Sequence, residues 1–530
     1  MRHRVVTKVQ SRVTSRPTIM LAMRTGAEKW LLLVVVSFSL SAVAAASDKR
    51  VVVIVWDGMR PDFVSEQNTP TLWKLAQSGV IFRNHHSVYP SATIVNGTAI
   101  VTGDYPNHDG ILANHLYRAE IDDRKSIDVE NARVVGKGDE VSNGRYVAAP
   151  TIAELLHERG AKTAIATAKT VGLLFDRHAD ARHGQDIFAG ESVSADSIAP
   201  ILKSLGAFPP AIQPGERDTW TTKALTDFMW RDGVPEFSLL WLSEPDDTEH
   251  KTAPGAPAAL TAIKSSDDNV ARVLSALDKH NARSTTDVFV VSDHGFSTIS
   301  REIDVPKILR AAGFEAVTEF AAEPKPGQIM LAGNGGSVLF YVIGHDTAIV
   351  HRLVEFLQQT DFAGVIFTRE PMEGTFTLDK AKIDNPNAAD VVMAFRWADE
   401  KNQFGVRGMI DADWQRAAGK GTHATLSRFD MHNTLIAAGP DFQTGLTNDL
   451  PSGNVDLAPT ILAILGIKTP GAMDGRILSE AMRNGGRLKA ERQTIEATRK
   501  FSTGKWVQSL TISRAGSTIY LDEGNGGFKR

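Results

Sequence analysis

The sequence predicts an α/β fold: a mostly parallel central sheet flanked by helices, with an inserted smaller cap domain. Three observations carry that expectation. The short apolar runs Val51–Trp56, Phe237–Leu242, Val288–Ser292 and Thr434–Ala438 are continuous rather than alternating, as strands covered on both faces are. Amphipathic stretches such as Thr71–Gly79, Thr151–Gly160 and Leu260–His280 lie between them, and several stop at Gly or Asn as helices do. Asp57, Glu244-Pro-Asp246 and Asp293 follow such runs, at the carboxyl edge where open α/β sheets hold their sites.

Taken in order, the chain opens on a targeting pattern. Trp30–Leu40 is an apolar run preceded by Arg24 and Lys29 and followed by Ala42-Val-Ala-Ala-Ala46, so residues 1–46 read as a signal peptide cleaved after Ala46. A start at Met20 or Met23 would give its basic segment an ordinary length. The competing reading is an uncleaved anchor, for which the run falls short of the ~20 apolar residues a spanning helix needs. An exported protein, periplasmic or secreted, is therefore expected. The chain has no cysteine, which excludes a disulfide framework and a lipid-modified cysteine anchor.

Residues 47–296 and 420–486 are expected to form the catalytic core, and residues 297–419 a cap inserted into it. Within that cap, Asn334-Gly-Gly336 between the strand-like Ile329–Leu331 and Ser337–Ile343 reads as a hairpin turn. Asp390–Trp397 reads as a further strand. Residues 487–530 form a tail with a terminal hairpin, Trp506–Ser513 and Ser517–Asp522. At 530 residues the chain exceeds what one ordinary core needs, and a net charge of −4 predicts no nucleic-acid groove and no polybasic membrane patch.

Chemistry enters with a scattered set of Asp and His around one hydroxyl. Asp57, Asp246, His250, Asp293, His294 and His423 supply six hard or borderline ligands, the inventory of a two-metal site. Thr93 precedes the helix-like Ile94–Val101, so its hydroxyl stands at a helix N-terminus, where the dipole favours an anionic oxygen. A free alcohol needs activation before it attacks phosphorus, and a divalent cation can provide it. Ser91 and Asn96 are alternatives for the Thr93 role, and an ordinary helix cap is the plainer one. Asp246 and His250 are four apart, but Pro245 argues for a loop, not a helix, carrying both. Taken alone, that pair reads as a solvated loop and His423 as a satisfied histidine.

Together, Asp57-Gly, Pro90-Ser-Ala-Thr93-Ile-Val-Asn96, Val101-Thr-Gly103, Tyr105-Pro-Asn-His-Asp-Gly-Ile111, Glu244-Pro-Asp-Asp-Thr-Glu-His250, Ser292-Asp-His-Gly295 and Gly421-Thr-His423 resemble the nucleotide pyrophosphatase/phosphodiesterase family of the alkaline phosphatase superfamily. Val455-Asp-Leu-Ala-Pro-Thr-Ile461 is similar to that superfamily's late helix. The resemblance covers roughly residues 50 to 470 and implies an alkaline-phosphatase-like core and two Zn2+ ions. Asp246, His250 and His423 would hold one ion; Asp57, Asp293, His294 and Thr93 would hold the other. Thr93 would be the nucleophile, and Asn114 would donate to a non-bridging phosphoryl oxygen. The substrate would be a small phosphate diester or nucleotide.

Two positions depart from the family pattern: Glu249 and Ala424 stand where Gly is usual. Lys169, in Ala166-Thr-Ala-Lys-Thr-Val171, is a possible substrate contact. Thr-dependent monoesterases of the superfamily pair such a Lys with a second cation two residues on, where this chain has Val171. That favours a diesterase over a phosphomonoesterase or a phosphonoacetate-hydrolase-like enzyme. A sulfatase is disfavoured by the absence of its modification motif. A catalytically dead zinc-binding protein would have lost a ligand or Thr93, and all are present. A lipid phosphodiesterase acting on choline head groups would need an aromatic cage, for which Trp56, Trp230, Trp241, Trp397 and Trp414 are candidates.

Overall fold

The computed structural model describes residues 49–177, 184–193, 195–469 and 471–530. The expected signal peptide lies outside them. No helix among the described residues is long and apolar enough to cross a membrane.

Eight strands form the central sheet: β1 (Arg50–Trp56), β2 (Val80–Phe82), β3 (Thr163–Thr167), β4 (Gly184–Phe188), β5 (Phe237–Leu242), β6 (Thr286–Val291), β7 (Leu435–Ala438) and β8 (Leu446–Asn448). Their spatial order is β8-β2-β7-β6-β1-β5-β3-β4. From β6 to β4 every pairing is parallel, with Val53 of β1 opposite Leu239 of β5 and Phe289 of β6. Only β7 runs antiparallel to its neighbours. In β1, Val51–Trp56 is wholly buried, as a β-branched run between two helical layers must be. Two apolar layers cover the faces, one around Val53, Trp241 and Phe289, the other around Ile54, Leu240 and Val290.

The order β6-β1-β5-β3 fixes where the chemistry can be. Asp293 and His294 leave β6, Asp57 leaves β1, Asp246 follows β5 and Lys169 follows β3, all at the carboxyl ends of four adjacent parallel strands. The fold class read from the sequence is the fold observed.

Residues 297–419 carry a separate six-stranded sheet. It includes the antiparallel pair Ile329–Gly333 and Ser337–Val342, joined through Asn334-Gly-Gly336. A smaller sheet closes the excursion: Gly421–Thr422 pairs antiparallel with Ser297–Glu302, Ser297 opposite Thr422. That one pairing brings His423 back beside His294 across a long stretch of chain.

The tail is larger than a hairpin. Three strands, Ala490–Phe501, Gly504–Ala515 and Thr518–Lys529, pair antiparallel in sequence order. The first is largely exposed and polar, so it carries little of the apolar pattern that announces a strand. Trp506 is fully buried and donates its indole N–H to Gly374 O at 2.9 Å, tying the tail to the inserted segment. Trp506→Ala removes that bond and opens a large cavity, so it should cost roughly 3–5 kcal/mol, read as a lowered thermal midpoint.

The tail also reaches the core through Asp522. Its carboxylate lies 2.7 Å from His86 Nε2 and accepts from Arg492 Nε (2.7 Å) and Ser513 Oγ (2.9 Å). Burial pushes this carboxyl up, but the His86 and Arg492 partners outweigh it and hold it below the usual carboxylate range. A depressed acid stabilises the fold above its unfolded pKa, near 3.9, and that stability is lost as pH falls through the folded value. Between pH 5 and pH 3, wild type should therefore lose more stability than Asp522→Asn, measured by urea midpoints across the range.

Candidate active site

Thr93 is the first residue of the helix Thr93–Thr102, which is buried along its whole length and ends at Gly103 in the left-handed conformation. The loop before it is fixed by Asn96, whose Oδ1 accepts from Val88 N–H while its Nδ2 donates to Val88 O and Ala92 O. Ser91 is likewise committed, donating to Thr425 O at 2.9 Å. Both alternatives to Thr93 are thus structural. The Thr93 hydroxyl instead lies 3.2 Å from His294 Nε2. It caps nothing: the N-cap residue is Ala92.

Around that hydroxyl the six Asp and His side chains form two groups, Asp246–His250–His423 and Asp57–Asp293–His294. In each group the ligating atoms lie within 4.8 Å of one another. His294 Nε2 is 3.1 Å from Asp293 Oδ2 and 3.6 Å from Asp57 Oδ1. His250 Nε2 and His423 Nε2 are 3.3 and 3.5 Å from the same Asp246 Oδ1. Two atoms bound ~2.0–2.1 Å from one tetrahedral ion stand ~3.3 Å apart, so these separations suit a shared cation.

Two further observations agree. All three histidines are fixed through Nδ1, to Gly421 O (3.0 Å), Gly295 O (2.8 Å) and Ser91 O (2.7 Å). Donation from Nδ1 leaves the Nε2 lone pair bare, as in metal-ligating histidines. And Asp57 Oδ1, Asp246 Oδ1 and Asp293 Oδ2, the oxygens those lone pairs face, are buried and accept no hydrogen bond. Lone pair facing lone pair in a buried site repels unless a cation lies between.

The electrostatics show the same unbalanced charge. Burial first, and then Asp293, push the Asp57 carboxyl well up. Burial also pushes Asp293 up to about 7. Asp246 is pushed up by burial too, but His250 and Lys169 beside it hold it well below the usual range. Lys169 lies between the groups, its Nζ 2.8 Å from Asp57 Oδ2 and 2.5 Å from Asp246 Oδ2. Trp241 donates its indole N–H to the same Asp57 oxygen at 2.8 Å, a partner no motif announced.

Asp57 owes its placement to Gly58, which has φ 73° and donates its N–H to Asp293 Oδ1 at 3.0 Å. A Cβ there would stand 3.0 Å from the Phe296 ring. The loop expected for Asp246 and His250 is instead a short helix, Asp246–Lys251, and the i,i+4 spacing puts both side chains on one face. Pro245 permits it because it sits just before the first helical residue, where its missing N–H costs nothing. Ala424 has φ 77°, a conformation that suits Gly and strains Ala, and this is why Gly is the expected residue there.

Thr93, Asn114, Lys169, Asp246, His250 and His423 all line one cavity of about 490 Å³. Asn114 Oδ1 accepts from Ile94 N–H at 3.0 Å, which assigns the amide orientation and turns its NH2 the other way. No Phe, Tyr or Trp is among the described residues that line the cavity. Trp56, Trp230 and Trp241 are fully buried in the core, and Trp397 and Trp414 are not among the residues lining the cavity. The aromatic cage that a choline site needs is not formed by these residues.

The model of the type I phosphodiesterase / nucleotide pyrophosphatase family matches residues 51–397. Venom phosphodiesterase of Naja atra is 23% identical over 251 residues, 46% of this chain and 26% of that protein. Ectonucleotide pyrophosphatase/phosphodiesterase family member 1 of Homo sapiens is 25% identical over 247 residues, 45% of this chain and 22% of its own length. Bis(5'-adenosyl)-triphosphatase enpp4 of Xenopus laevis is 24% identical over 260 residues, 48% and 49% of the two. The match thus spans from under a quarter to about half of these relatives. Among solved structures, human ectonucleotide pyrophosphatase/phosphodiesterase 5 superposes with a TM-score of 0.59 at 18% identity, over 82% of this chain and 100% of that one. An inactive murine form of that protein, in complex with AMP, gives 0.57 at 18% identity over 80% and 97%.

Proposed function

The chain belongs to the type I phosphodiesterase / nucleotide pyrophosphatase family, and we propose that it is an exported two-zinc hydrolase cleaving phosphate diester or pyrophosphate bonds through a phospho-threonine. The observation that carries this reading is the Thr93 hydroxyl at a buried helix N-terminus, beside two groups of orphaned carboxylate and imidazole atoms at metal-sharing distances. Asp246, His250 and His423 would hold one ion, and Asp57, Asp293, His294 and Thr93 the other. Bound there, the ions would lower the pKa of the Thr93 hydroxyl and offset charge on the phosphoryl oxygens.

The rest of the chemistry belongs to the chain. Thr93 Oγ1 attacks phosphorus in line, forming one P–O bond as the bond to the leaving oxygen breaks. The Asn114 amide donates to a non-bridging oxygen as negative charge grows there, a contribution of a few kcal/mol for such donors. The buried helix holds Thr93 still, so little reorganisation is needed. Water then displaces Thr93 from phosphorus and regenerates the hydroxyl. Residues 297–419 act as a cap over this core, and residues 487–530 as a tail strapped to that cap.

Diester preference is supported by Val171, fully buried two residues after Lys169, at the position where Thr-dependent monoesterases of the superfamily carry a second cation. The test is kcat/KM for bis-p-nitrophenyl phosphate over p-nitrophenyl phosphate, on zinc-loaded protein starting at Ser47. A ratio well above one supports the diesterase. A ratio well below one makes the enzyme a monoesterase.

A further inference from the structure

The Asn334-Gly-Gly336 turn does more than close a hairpin of the inserted segment, because Asn334 and Gly335 line the cavity that holds Thr93, Asn114 and His423. Asn334 N–H donates to Ser337 O at 2.9 Å and closes the turn. Both glycines are needed for its close approach to the core. Gly335 has φ 73°, and a Cβ on Gly336 would stand 2.5 Å from His423 O and 2.6 Å from Thr425 N. Gly336 N–H instead donates to that His423 O at 2.8 Å. Gly335 N–H donates to Asp413 Oδ2 at 2.8 Å.

On its other side the turn grips the backbone beside Asn114. The buried Asn334 side chain directs both ends of its amide at His115: Oδ1 accepts from His115 N–H at 2.8 Å, and Nδ2 donates to His115 O at 2.9 Å. Two bonds from one planar amide to one residue fix direction as well as distance. His115 directly follows Asn114 and begins a two-residue strand paired with Ile127–Asp128. Asn114 O in turn accepts from Val129 N–H at 3.1 Å, and Asn114 Oδ1 from Ile94 N–H at 3.0 Å. Ile94 is the residue after Thr93, so bonded contacts run unbroken from Asn334 to the start of the Thr93 helix.

A donor aimed at developing charge works only if it is already in place, and a misplacement of about 1 Å can cost on the order of a hundredfold in rate. The Ile94 bond orients the Asn114 amide, but the Cα from which that side chain springs is set by its backbone neighbours. We propose that Asn334 is a positioning residue: through His115 it fixes the Asn114 backbone so that the Asn114 NH2 meets the phosphoryl oxygen. The inserted segment then takes part in catalysis by supplying this strut. Asn334 itself need not touch the substrate. This inference rests on the phosphodiesterase reading of the site and on the donor role given there to Asn114.

A double-mutant cycle tests it, with bis-p-nitrophenyl phosphate as substrate and zinc-loaded protein. Asn334→Ala keeps the backbone bonds of the turn and should lower kcat at least about tenfold, with KM within about threefold, because the donor acts in the transition state. Zinc content should stay at that of wild type. In the Asn114→Ala background the same substitution should change kcat by less than about threefold, since the group it positions is gone. A merely structural residue would lower kcat by the same factor in both backgrounds, and that result overturns the proposal. So does a kcat for Asn334→Ala within about threefold of wild type, or a loss of zinc in step with activity, which would trace the effect to His423. Asn334→Ser, a residue favoured at the first position of such a turn, carries the same cycle should the alanine variant not fold. If Asn114→Ala itself retains wild-type kcat, the donor role falls and the proposal with it. Wild-type protein that hydrolyses neither this diester nor p-nitrophenyl phosphate overturns the phosphodiesterase reading itself, before any variant is compared.

Discussion

Thr93→Ala should abolish turnover of every phosphoester, by at least about 10⁴-fold in kcat, while the protein keeps its fold and its metal. On the proposed mechanism the rate loss follows from removing the atom that would form the covalent bond; loss of a nucleophile is among the largest single effects in hydrolases. The fold should survive because Thr93 Oγ1 caps no helix and, among the described residues, its hydrogen-bonding partner is His294 Nε2 at 3.2 Å. Deleting that hydroxyl and a methyl at a helix start should cost ~1 kcal/mol or less. Metal binding should survive because all six Asp and His groups proposed as ligands remain. Acid-quenched wild type should carry a phosphoryl adduct by mass spectrometry, and the variant none. Thr93→Ser, which keeps the hydroxyl but frees its χ1 rotamer, should lie between them. Turnover in Thr93→Ala above a tenth of wild type would sink the mechanism.

The sequence was most legible where one residue type had one physical reason to be there. Val51–Trp56 could only be a doubly covered strand, so Asp57 had to emerge at the sheet edge, and the same logic placed Asp246 and Asp293. What stayed hidden depended on pairing across distance. His423 reaches the site only because Gly421–Thr422 pairs with Ser297–Glu302, and nothing near His423 in the chain encodes that partner. Pro245 argued for a loop at Asp246 and His250, yet a proline just before the first helical residue lets the helix Asp246–Lys251 form. Strand Ala490–Phe501 lacked an apolar stripe because it is largely exposed. Trp241 bonding to Asp57, and Lys169 lodged between Asp57 and Asp246, are contacts between neighbouring strand ends that only the sheet order reveals.

Asp293→Asn should separate the two jobs of one carboxylate. Asp293 Oδ1 accepts from Gly58 N–H (3.0 Å) and His294 N–H (2.9 Å), a structural role the Asn carbonyl can keep. Oδ2, by contrast, accepts nothing and faces His294 Nε2 at 3.1 Å. In the variant that position holds an NH2, which cannot ligate a cation. Zinc content should fall from two equivalents toward one, with activity falling in step. The thermal response to chelation should change with it. A metal that binds only the folded state stabilises it by RT ln(1 + [L]/Kd), about 2.7 kcal/mol at one hundred times Kd, so stripping wild type should lower its midpoint by several degrees. Stripping the variant should lower it much less, because one site is already lost. The metal-free proteins should also reverse in order. Without cations, Asp57, Asp246 and Asp293 crowd together around Lys169, and replacing one of three buried carboxylates by an amide relieves that repulsion. Chelated Asp293→Asn should therefore melt above chelated wild type, and loaded Asp293→Asn below loaded wild type. Two full zinc equivalents in the variant would remove Asp293 from the ligand set. A variant less stable in both states would mean that its role is structural alone.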